Sequence, residues 1–501
     1  MTARANASPE VDVWPITDVA PIPLDESERK AVDALAERLR RDEPMLGSTD
    51  AFGPQTRAGY EPRWPRLAYE DHRAVTFVAR STTAPIAYRA FMLAGEGDIA
   101  LVPAPRDRAF EAYYDEVLGL GAPSVIEIAL PARAPRPASF GRVCRDDATA
   151  LGRIVEMAKR AGGLNVAPYL VDGESWLLAR AVGEAAQVPV CVAGPPPRLA
   201  RRANDKLWFA NRVVELLGPD AAPPTFTAFG PAAAAGRIAV ITRRGGAAVV
   251  KAPASAAGLG NMTWTAERAA NRSVSSIAAE LSAWLFHLGW DVSQALLVGV
   301  WDAGVTASPS AQVWIPSSFA EDPIVEGVFL QETAGDNAAF VGARPAKLAA
   351  SLDRALRREA TLMASLFQKL GYVGRCSFDA VVFEDQKGEP RIHWIECNAR
   401  WGGVSMPMTL VNRLTGDWRE TPFIVAEAPA SSAPSGGTSA LLKTWSELLY
   451  CGDEPESGVV LIGPPGDPWG FRFIAIGSSI SQAQSLTRKA VERLGKLRAG
   501  S

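Results

Sequence analysis

Short apolar segments alternate with amphipathic helical patterns through the first part of the chain. The apolar segments begin at Ala74, Asp98, Ser124, Asn165 and Val188. Helical patterns such as 106–120 and 147–161 lie between several of them. Because parallel strands need long crossover connections, usually helices, this alternation predicts a parallel sheet. We expect an α/β domain of Rossmann-like topology over 61–200, the first domain, although no GxGxxG after its first strand supports dinucleotide binding.

Composition excludes several classes of protein. The 501 residues include 52 basic and 55 acidic side chains, a net charge of -3, so no global positive field would hold nucleic acid or an anionic membrane. No run of about 18 uncharged apolar residues occurs, and the N-terminus lacks the apolar core of a signal peptide. With 48% apolar residues and a mean hydropathy of +0.01, we expect a cytoplasmic globular protein that recognises its partners locally.

The numbers and spacing of cysteine and histidine argue against several kinds of site and mechanism. The five cysteines are far apart and form no CxxC pair, which argues against a disulfide framework and a structural zinc site. Only three histidines occur, and none has a metal-ligand spacing such as HExxH. A mechanism built on histidine is therefore not expected.

The N-terminal arm, residues 1–60, contains one predicted helix. Between Asp25 and Arg41 the apolar residues Ala31, Leu35 and Leu39 recur every four positions. This spacing predicts an amphipathic helix with those residues on its buried face.

The chain beyond the first domain divides into a long mixed region and a small C-terminal unit. At roughly 100 to 200 residues per domain, about three folding units are expected in total. The mixed α and β pattern over 201–427 predicts a small lobe of about 201–300 and a large lobe of about 301–427. The small residues and prolines of 428–437 predict a linker. Residues 438–501 then form an α+β unit.

The segment WIECNARWGG, from Trp394 to Gly403, has the most informative pattern. On a strand, Glu396 and Asn398 project from one face and Cys397 from the other. A carboxylate beside an amide oxygen is a suitable ligand pair for magnesium that also binds phosphates. Arg400 is two positions beyond Asn398, so it would project from the same face if the strand continues. The alternative is a surface hairpin with incidental charges.

A second carboxylate is predicted to lie opposite this strand. Asp379 precedes a turn at 386–390, so an antiparallel hairpin would bring it across the ladder from Glu396. Two carboxylates favour a divalent metal more than one does. The alternative is a strand-end residue that hydrogen-bonds to the backbone.

Two lysines and a glycine-rich segment are candidates for binding phosphate. Lys251 ends a predicted strand and is followed by Gly258 and Gly260, which would let backbone N–H groups approach phosphate oxygens. Lys206 follows Asp205 at the start of a predicted helix, although an ordinary solvated lysine is the alternative. No GxxxxGK[ST] motif occurs, so this is not a Walker A loop.

These four segments, taken in order, resemble the ATP-grasp fold. The resemblance rests on NDKLWFANRVVELLG, VVKAPASAAGLG, SFDAVVF and IECNARWGG, and it covers about 203–419. The first domain is similar to the pre-ATP-grasp domain of that superfamily. The order of the segments LLVGVWDAGVTASPSAQVWIP, GVFLQE, FVGARPA and ECNARWGG looks closest to peptide ligases of the pheganomycin-ligase type. We therefore expect an α/β chain with a two-lobed ATP-grasp core.

The resemblance implies roles for individual residues. ATP would be bound by Lys206, Lys251, Gly258, Gly260, Val298, Gly299, Asp302 and Gln331. Magnesium would be coordinated by Asp379, Glu396 and Asn398. Arg400 and Lys251 would act in catalysis, Arg400 by stabilising the acyl phosphate. Ser308, Ser310 and Gln312 would face the nucleotide or substrate. Gly299 stands where many members have a glutamate, so the ribose or adenine contact would come from elsewhere, such as Asp302.

The resemblance implies an ATP-dependent ligase that joins a small carboxylate to an amine, such as an amino acid or short peptide, through an acyl phosphate. ATP and Mg²⁺ would be required, no nucleic acid or membrane partner is expected, and family habit favours a homodimer. A carboxylate-thiol ligase or a small-molecule kinase with the same fold is one alternative. A nucleotide-binding protein that has lost activity, suggested by Gly299, is another.

Overall fold

The computed structural model describes residues 19–70, 84–129, 139–252, 260–291, 294–335, 338–385, 387–428, 436–452, 457–466 and 470–499. The strand predicted at Ala74 and the predicted phosphate contact Gly258 lie outside these residues. Within the part of the chain that is described, no helix is both long and apolar enough to cross a membrane.

The first domain contains a six-stranded parallel sheet with helices between its strands. The elements up to its last strand are α1 (Glu26–Asp42), β1 (Thr56–Ala58), β2 (Arg66–Tyr69), α2 (Ala84–Ala87), β3 (Ile99–Pro103), α3 (Arg108–Ala112), β4 (Ser124–Ile128), α4 (Phe140–Asp146), α5 (Ala148–Ala161), β5 (Leu164–Pro168), α6 (Gly173–Ala186) and β6 (Val190–Val192). The strands are ordered β1-β6-β5-β2-β3-β4, and all neighbours are parallel. The prediction of a Rossmann-like α/β domain is confirmed, although β1 lies within the predicted N-terminal arm, 1–60, and belongs to this sheet.

Two local predictions in this part of the chain are corrected. Ala31 is exposed, whereas Val32, Leu35, Ala36 and Leu39 are the buried residues of α1. A strict step of four drifts around a helix with 3.6 residues per turn, so the buried stripe mixes steps of three and four. The helix predicted over 106–120 is short, because α3 passes into a single π-helical turn at Tyr113–Val117.

The small lobe is an antiparallel sheet with helices packed on it. Two helices lead into it, and the elements in order are α7 (Pro197–Ala203), α8 (Lys206–Leu217), β7 (Thr225–Ala228), α9 (Pro231–Arg243), β8 (Ala247–Lys251), β9 (Asn261–Trp264), α10 (Ala266–Ala269), α11 (Val274–Leu288) and β10 (Leu296–Trp301). The strands are ordered β7-β10-β8-β9. Alternate residues of β8 and β10 pack with α9 and α11 in an apolar core around Trp264. Val249, Leu297 and Gly299 on the other face line a small pocket together with Trp394 and Ile395 of the large lobe.

The large lobe is built on a nine-stranded sheet. Its elements and those of the C-terminal unit are β11 (Val305–Ala307), β12 (Pro309–Ile315), β13 (Ile324–Ala334), β14 (Ala339–Pro345), α12 (Ala350–Lys369), β15 (Gly374–Glu384), β16 (Pro390–Asn398), α13 (Ser405–Thr415), β17 (Phe423–Ala428), α14 (Gly437–Thr444), β18 (Gly458–Leu461), β19 (Phe471–Ile476) and α15 (Ile480–Ala499). The order is β11-β15-β12-β13-β14-β17-β19-β18, with β16 also paired to β15. The C-terminal strands therefore extend the large-lobe sheet through β17.

Buried contacts join the first domain to the large lobe. Trp401 N donates to Tyr169 O (3.0 Å), and the Trp401 side chain is 2% exposed. Arg413 on α13 donates from Nη1 to the carbonyl oxygens of Phe91 (3.1 Å) and Met92 (2.9 Å). Buried carbonyl groups need hydrogen-bond donors. Arg413, which belongs to the large lobe, supplies them to two carbonyl groups of the first domain. Apolar residues of both units also belong to one buried core cluster.

Candidate active site

A cavity of about 820 Å³ lies where the small lobe, the large lobe and the first domain meet. Its volume is within the range of about 300 to 1,000 Å³ typical of small-molecule sites. It is lined by eight of the residues assigned by the resemblance, namely Lys206, Lys251, Asp302, Gln331, Asp379, Glu396, Asn398 and Arg400. Ser308, Ser310 and Gln312 also line it. The fold therefore brings together side chains that are far apart in sequence.

Two carboxylates face each other at the floor of the cavity. Asp379 on β15 is in register with Glu396 on β16, so the predicted antiparallel pairing is confirmed. Ser310 Oγ donates to Asp379 Oδ1 (2.6 Å), and Asn398 Nδ2 donates to Asp379 Oδ2 (2.8 Å). Burial and the charge of Glu396 raise the pKa of Asp379 to about 6. A cation near the two carboxylates would therefore offset the repulsion between them.

Two lysines approach this pair from other elements. Asp205 caps α8 by accepting from backbone N–H groups of the first turn, which places Lys206 at the start of the helix, where its Nζ pairs with Glu396. Lys251 is the last residue of β8. Burial and the charge of Lys206 lower the pKa of Lys251 to about 8. Burial alone would raise the pKa of Glu396, but both lysines and Arg400 outweigh it and lower that pKa to about 2.

Arg400 lies two residues beyond the end of β16 and still faces the cavity. Its Nη1 donates to Asn204 Oδ1 (2.5 Å), which also accepts from the backbone N–H of Ala399 (3.2 Å). Asn204 follows α7 and immediately precedes the cap of α8. One amide thus orients the arginine and holds the chain that carries it. The sequence did not predict this role of Asn204, although Asn204 is the first residue of the segment NDKLWFANRVVELLG.

Two buried polar atoms on cavity-lining residues have no hydrogen-bond partner among the described residues. They are Nε of Arg400 and Oε1 of Gln312. Gln312 Nε2 donates to Ser310 Oγ (2.8 Å), so its amide is oriented by the same serine that contacts Asp379. An unmet buried donor or acceptor costs about 1 to 3 kcal/mol. A polar ligand that hydrogen-bonds to both atoms would therefore remove this cost.

Of the two residues predicted to form the adenine hinge, one is buried in the small lobe and the other lines a pocket beside the large cavity, so the hinge stays a prediction. Val298 packs in the core of the small lobe. Gly299 lines a pocket of about 20 Å³ between the lobes that shares Lys206, Lys251 and Ile395 with the large cavity. A Cβ at Gly299 would lie 3.1 Å from Thr225 Oγ1, so a larger side chain at this position would require Thr225 to move. Asp302 lines the large cavity, and its Oδ2 is 2.8 Å from Nδ1 of His393.

Gly260 lies at the base of the glycine-rich segment. Its carbonyl oxygen accepts from Ala252 N (2.8 Å) beside the paired residues Lys251 and Asn261. It is buried and is not among the residues that line the large cavity. Gly258 is outside the described residues, so its predicted phosphate contact stays a prediction.

The donor set fits a hard divalent cation beside phosphate. Asp379, Glu396 and Asn398 offer carboxylate and amide oxygens of the kind that Mg²⁺ binds with its remaining positions left to water and phosphate. No group of three or more His, Cys, Asp or Glu that could hold a metal occurs in the described ranges. The candidate site, with two carboxylates and one amide, therefore depends on the ligand to complete the coordination.

Comparisons with known proteins agree with the first domain predicted from sequence. Residues 87–184 match the Pre ATP-grasp domain family. No curated protein sequence matches the chain significantly.

Several solved structures are similar to the chain at low identity. An N5-carboxyaminoimidazole ribonucleotide synthetase, solved as an ADP complex, is 11% identical, with a TM-score of 0.49 over 85% of this chain and 97% of that one. The same enzyme from Thermus thermophilus is 14% identical, with a TM-score of 0.48 and coverages of 86% and 98%. A biotin carboxylase β-γ-ATP complex from Campylobacter jejuni is 15% identical, with a TM-score of 0.49 and coverages of 89% and 92%.

Proposed function

We propose that this chain is an ATP-dependent ligase that joins a carboxylate to an amine through an acyl phosphate, releasing ADP and phosphate. The observation that carries the proposal is the convergence of three cations with two carboxylates and an amide in one cavity. The cations are Lys206, Lys251 and Arg400, and the other groups are Asp379, Glu396 and Asn398. A polyphosphate with a divalent metal is the ligand that satisfies both sets of charges.

In the first step an oxygen of the substrate carboxylate attacks the γ-phosphorus of ATP, and the bond from that phosphorus to the bridging oxygen breaks. Lys206 and Lys251 hold the phosphate oxygens and neutralise charge as it moves toward ADP. Asp379, Glu396 and Asn398 would hold Mg²⁺, which supplies Lewis-acid polarisation of the phosphates.

In the second step the amine attacks the acyl carbon, and phosphate leaves. Arg400 is the group oriented to stabilise the acyl phosphate and the oxyanion formed from it, because Asn204 fixes its guanidinium while Nε has no protein partner in the described chain. The amine loses a proton as the amide forms, and that proton leaves with the phosphate as hydrogen phosphate. The protein side chains position the substrates and stabilise the charges that develop on them. None of these side chains needs to form a covalent bond to the substrate.

The cysteines support chemistry without a covalent enzyme intermediate. All five are free, and four of them are buried. Burial raises the pKa of Cys144 to about 12 and that of Cys397 well above its usual value. Because the thiolate is the reactive form, these thiols are poor nucleophiles at neutral pH.

The proposal extends to a substrate class and a setting. We propose a peptide ligase of the pheganomycin-ligase type, acting on amino acids or short peptides in the cytoplasm, with a homodimer as the expected assembly. Support comes from the order of the sequence segments and from a cavity large enough for ATP with a small organic substrate.

The test is an incubation with ATP, Mg²⁺ and pools of amino acids and short peptides. ADP, free phosphate and an amide product detected by mass spectrometry are expected. AMP and pyrophosphate would contradict the acyl-phosphate route, a phosphorylated product would indicate a kinase, and a requirement for a thiol acceptor would indicate a thiol ligase. Nucleotide binding with no turnover in any pool would favour the inactive protein. Glu396→Gln serves as the matched negative control.

A further inference from the structure

The end of the cavity formed by the first domain and the C-terminal strands has charged residues that the proposed mechanism does not use. Arg89 comes from the first domain, Glu427 from β17 and Arg472 from β19, and all three line the cavity. Arg89 and Arg472 also line a small adjoining pocket of about 20 Å³. We refer to the surroundings of these three residues as the distal end.

Glu427 and Arg472 form a cross-strand ion pair in the wall of the distal end. They are directly opposite in the β17–β19 register. Arg472 donates from Nε to Glu427 Oε2 (3.0 Å) and from Nη2 to Oε1 (3.3 Å). The Arg472 and Glu427 side chains are 19% and 21% exposed, so the pair is shielded from bulk water but still reaches the cavity. Two-point pairing fixes the plane of the guanidinium.

Arg89 lies on the first-domain side of the distal end and is held from behind. Its Nε donates to both carboxylate oxygens of Glu70 (3.0 and 2.9 Å), and Glu70 is 1% exposed. The guanidinium carbon of Arg89 lies 5.2 Å from the centre of the Tyr169 ring. A buried carboxylate and an aromatic face thus fix this guanidinium as well.

The arrangement of the charged groups at the distal end suits one carboxylate. Glu70 and Glu427 pair with the two guanidiniums, so the four charges sum to zero. Neither glutamate lines the small adjoining pocket, whereas Arg89 and Arg472 both do. A carboxylate ligand in that pocket would face two guanidiniums and no carboxylate side chain. A phosphate dianion would lie beside Glu427 without the metal or the three cations of the opposite end, so repulsion would disfavour it.

Apolar side chains in the cavity wall indicate an organic ligand. Phe340, Val404 and Ile462 line the cavity together with the charged groups. Apolar side chains around a few convergent polar groups are typical of sites that bind a small organic molecule rather than a bare anion. A carboxylate attached to a carbon skeleton fits both the charge and the walls.

We propose that Arg472, positioned by Glu427, recognises a carboxylate that does not react and belongs to the amine substrate. This inference rests on the proposed ligase function and specifies its acceptor: an amino acid or peptide with a free C-terminal carboxylate. Arg472 is the specificity-determining residue, Glu427 is a positioning residue, and Arg89 completes the pocket from the first domain. The reactive amine of the same molecule would point toward Arg400.

The experiment compares matched ligands on the wild type and on Arg472→Met. Pooled L-amino acids and dipeptides with free C-termini are compared with the same compounds as C-terminal carboxamides. Binding is measured by calorimetry with Mg²⁺ and a non-hydrolysable ATP analogue, so it does not depend on turnover. We expect wild type to prefer the free acids by about 10- to 100-fold, as for a hydrogen bond to a charged group. In Arg472→Met that preference should disappear, while binding of the ATP analogue stays unchanged.

A charge-reversal control separates recognition from packing. The double variant Glu427→Arg with Arg472→Glu keeps a cross-strand pair, so the thermal midpoint should be close to that of wild type, yet preference for the free acid should be lost. Full recovery of the preference would show that the pair is only structural and would overturn the proposal. Equal preference in wild type and Arg472→Met, or no binding by either pool, would also overturn it. A selectivity change in a protein that releases no ADP would instead contradict the ligase function alone.

Discussion

The pKa of Lys251 gives a pH dependence that can be worked out in advance. In the nucleotide-free protein, burial and the charge of Lys206 lower this pKa to about 8, against partial support from Glu396 and Asp302. The lysine is then about nine-tenths protonated at pH 7 and about one-tenth at pH 9. If phosphate binds mainly the ammonium form, the apparent affinity for ADP should fall about tenfold over that range, because the competent fraction falls tenfold.

The assay is a calorimetric titration with ADP from pH 7 to pH 9. EDTA is present, because a metal ion at Glu396 would change the electrostatic field at Lys251. Lys251→Arg is the matched control, since a guanidinium keeps its charge throughout this range. Its ADP affinity should change by less than about twofold over the same interval. A tenfold loss that persists in Lys251→Arg, or constant affinity in wild type, would refute the assignment of Lys251 to phosphate binding.

Five substitutions test other residues of the site and the packing of the sheets. Glu396→Gln should lower kcat by about 100-fold or more through weaker metal and phosphate binding, with circular dichroism unchanged; wild-type turnover would contradict the site. Arg400→Ala should cost about 2.7 to 4 kcal/mol in kcat with little change in ADP affinity, and Arg400→Lys should recover part of it. Gly342→Ala would place a Cβ 2.5 Å from Val425 O, so chemical denaturation should show a loss of about 1 to 3 kcal/mol. Gly152→Ala, where a Cβ meets nothing within 4 Å on α5, should instead be neutral or stabilising.

The carboxylate pair could be predicted because its geometry is local. The period of two along β16 places Glu396 and Asn398 on one face, and a short hairpin brings Asp379 opposite them. Few residues intervene, so the register follows from the turn. The same reasoning extended to Arg400, although β16 ends at Asn398 and the position of the arginine depends on Asn204 instead.

The distal end could not be predicted because its residues come from distant parts of the chain. Arg89 and Arg472 meet only when β17 and β19 extend the large-lobe sheet beside the first domain, and no motif surrounds either arginine. The placement of Gly299 likewise depends on the close approach of Thr225 on β7, which is a tertiary contact. Sequence spacing indicates neighbours on one strand or hairpin, whereas such long-range contacts need the assembled sheets.

The acyl phosphate is the central chemical claim, and isotope transfer tests it most directly. A productive carboxylate substrate found in the pool screen is labelled with ¹⁸O in its carboxyl group and converted to the amide with ATP and Mg²⁺. If a carboxylate oxygen attacks the γ-phosphorus, one labelled oxygen must leave in the phosphate that the amine displaces. We predict that mass spectrometry will find the released phosphate carrying one ¹⁸O atom. Unlabelled phosphate, formed together with labelled amide, would contradict the mechanism.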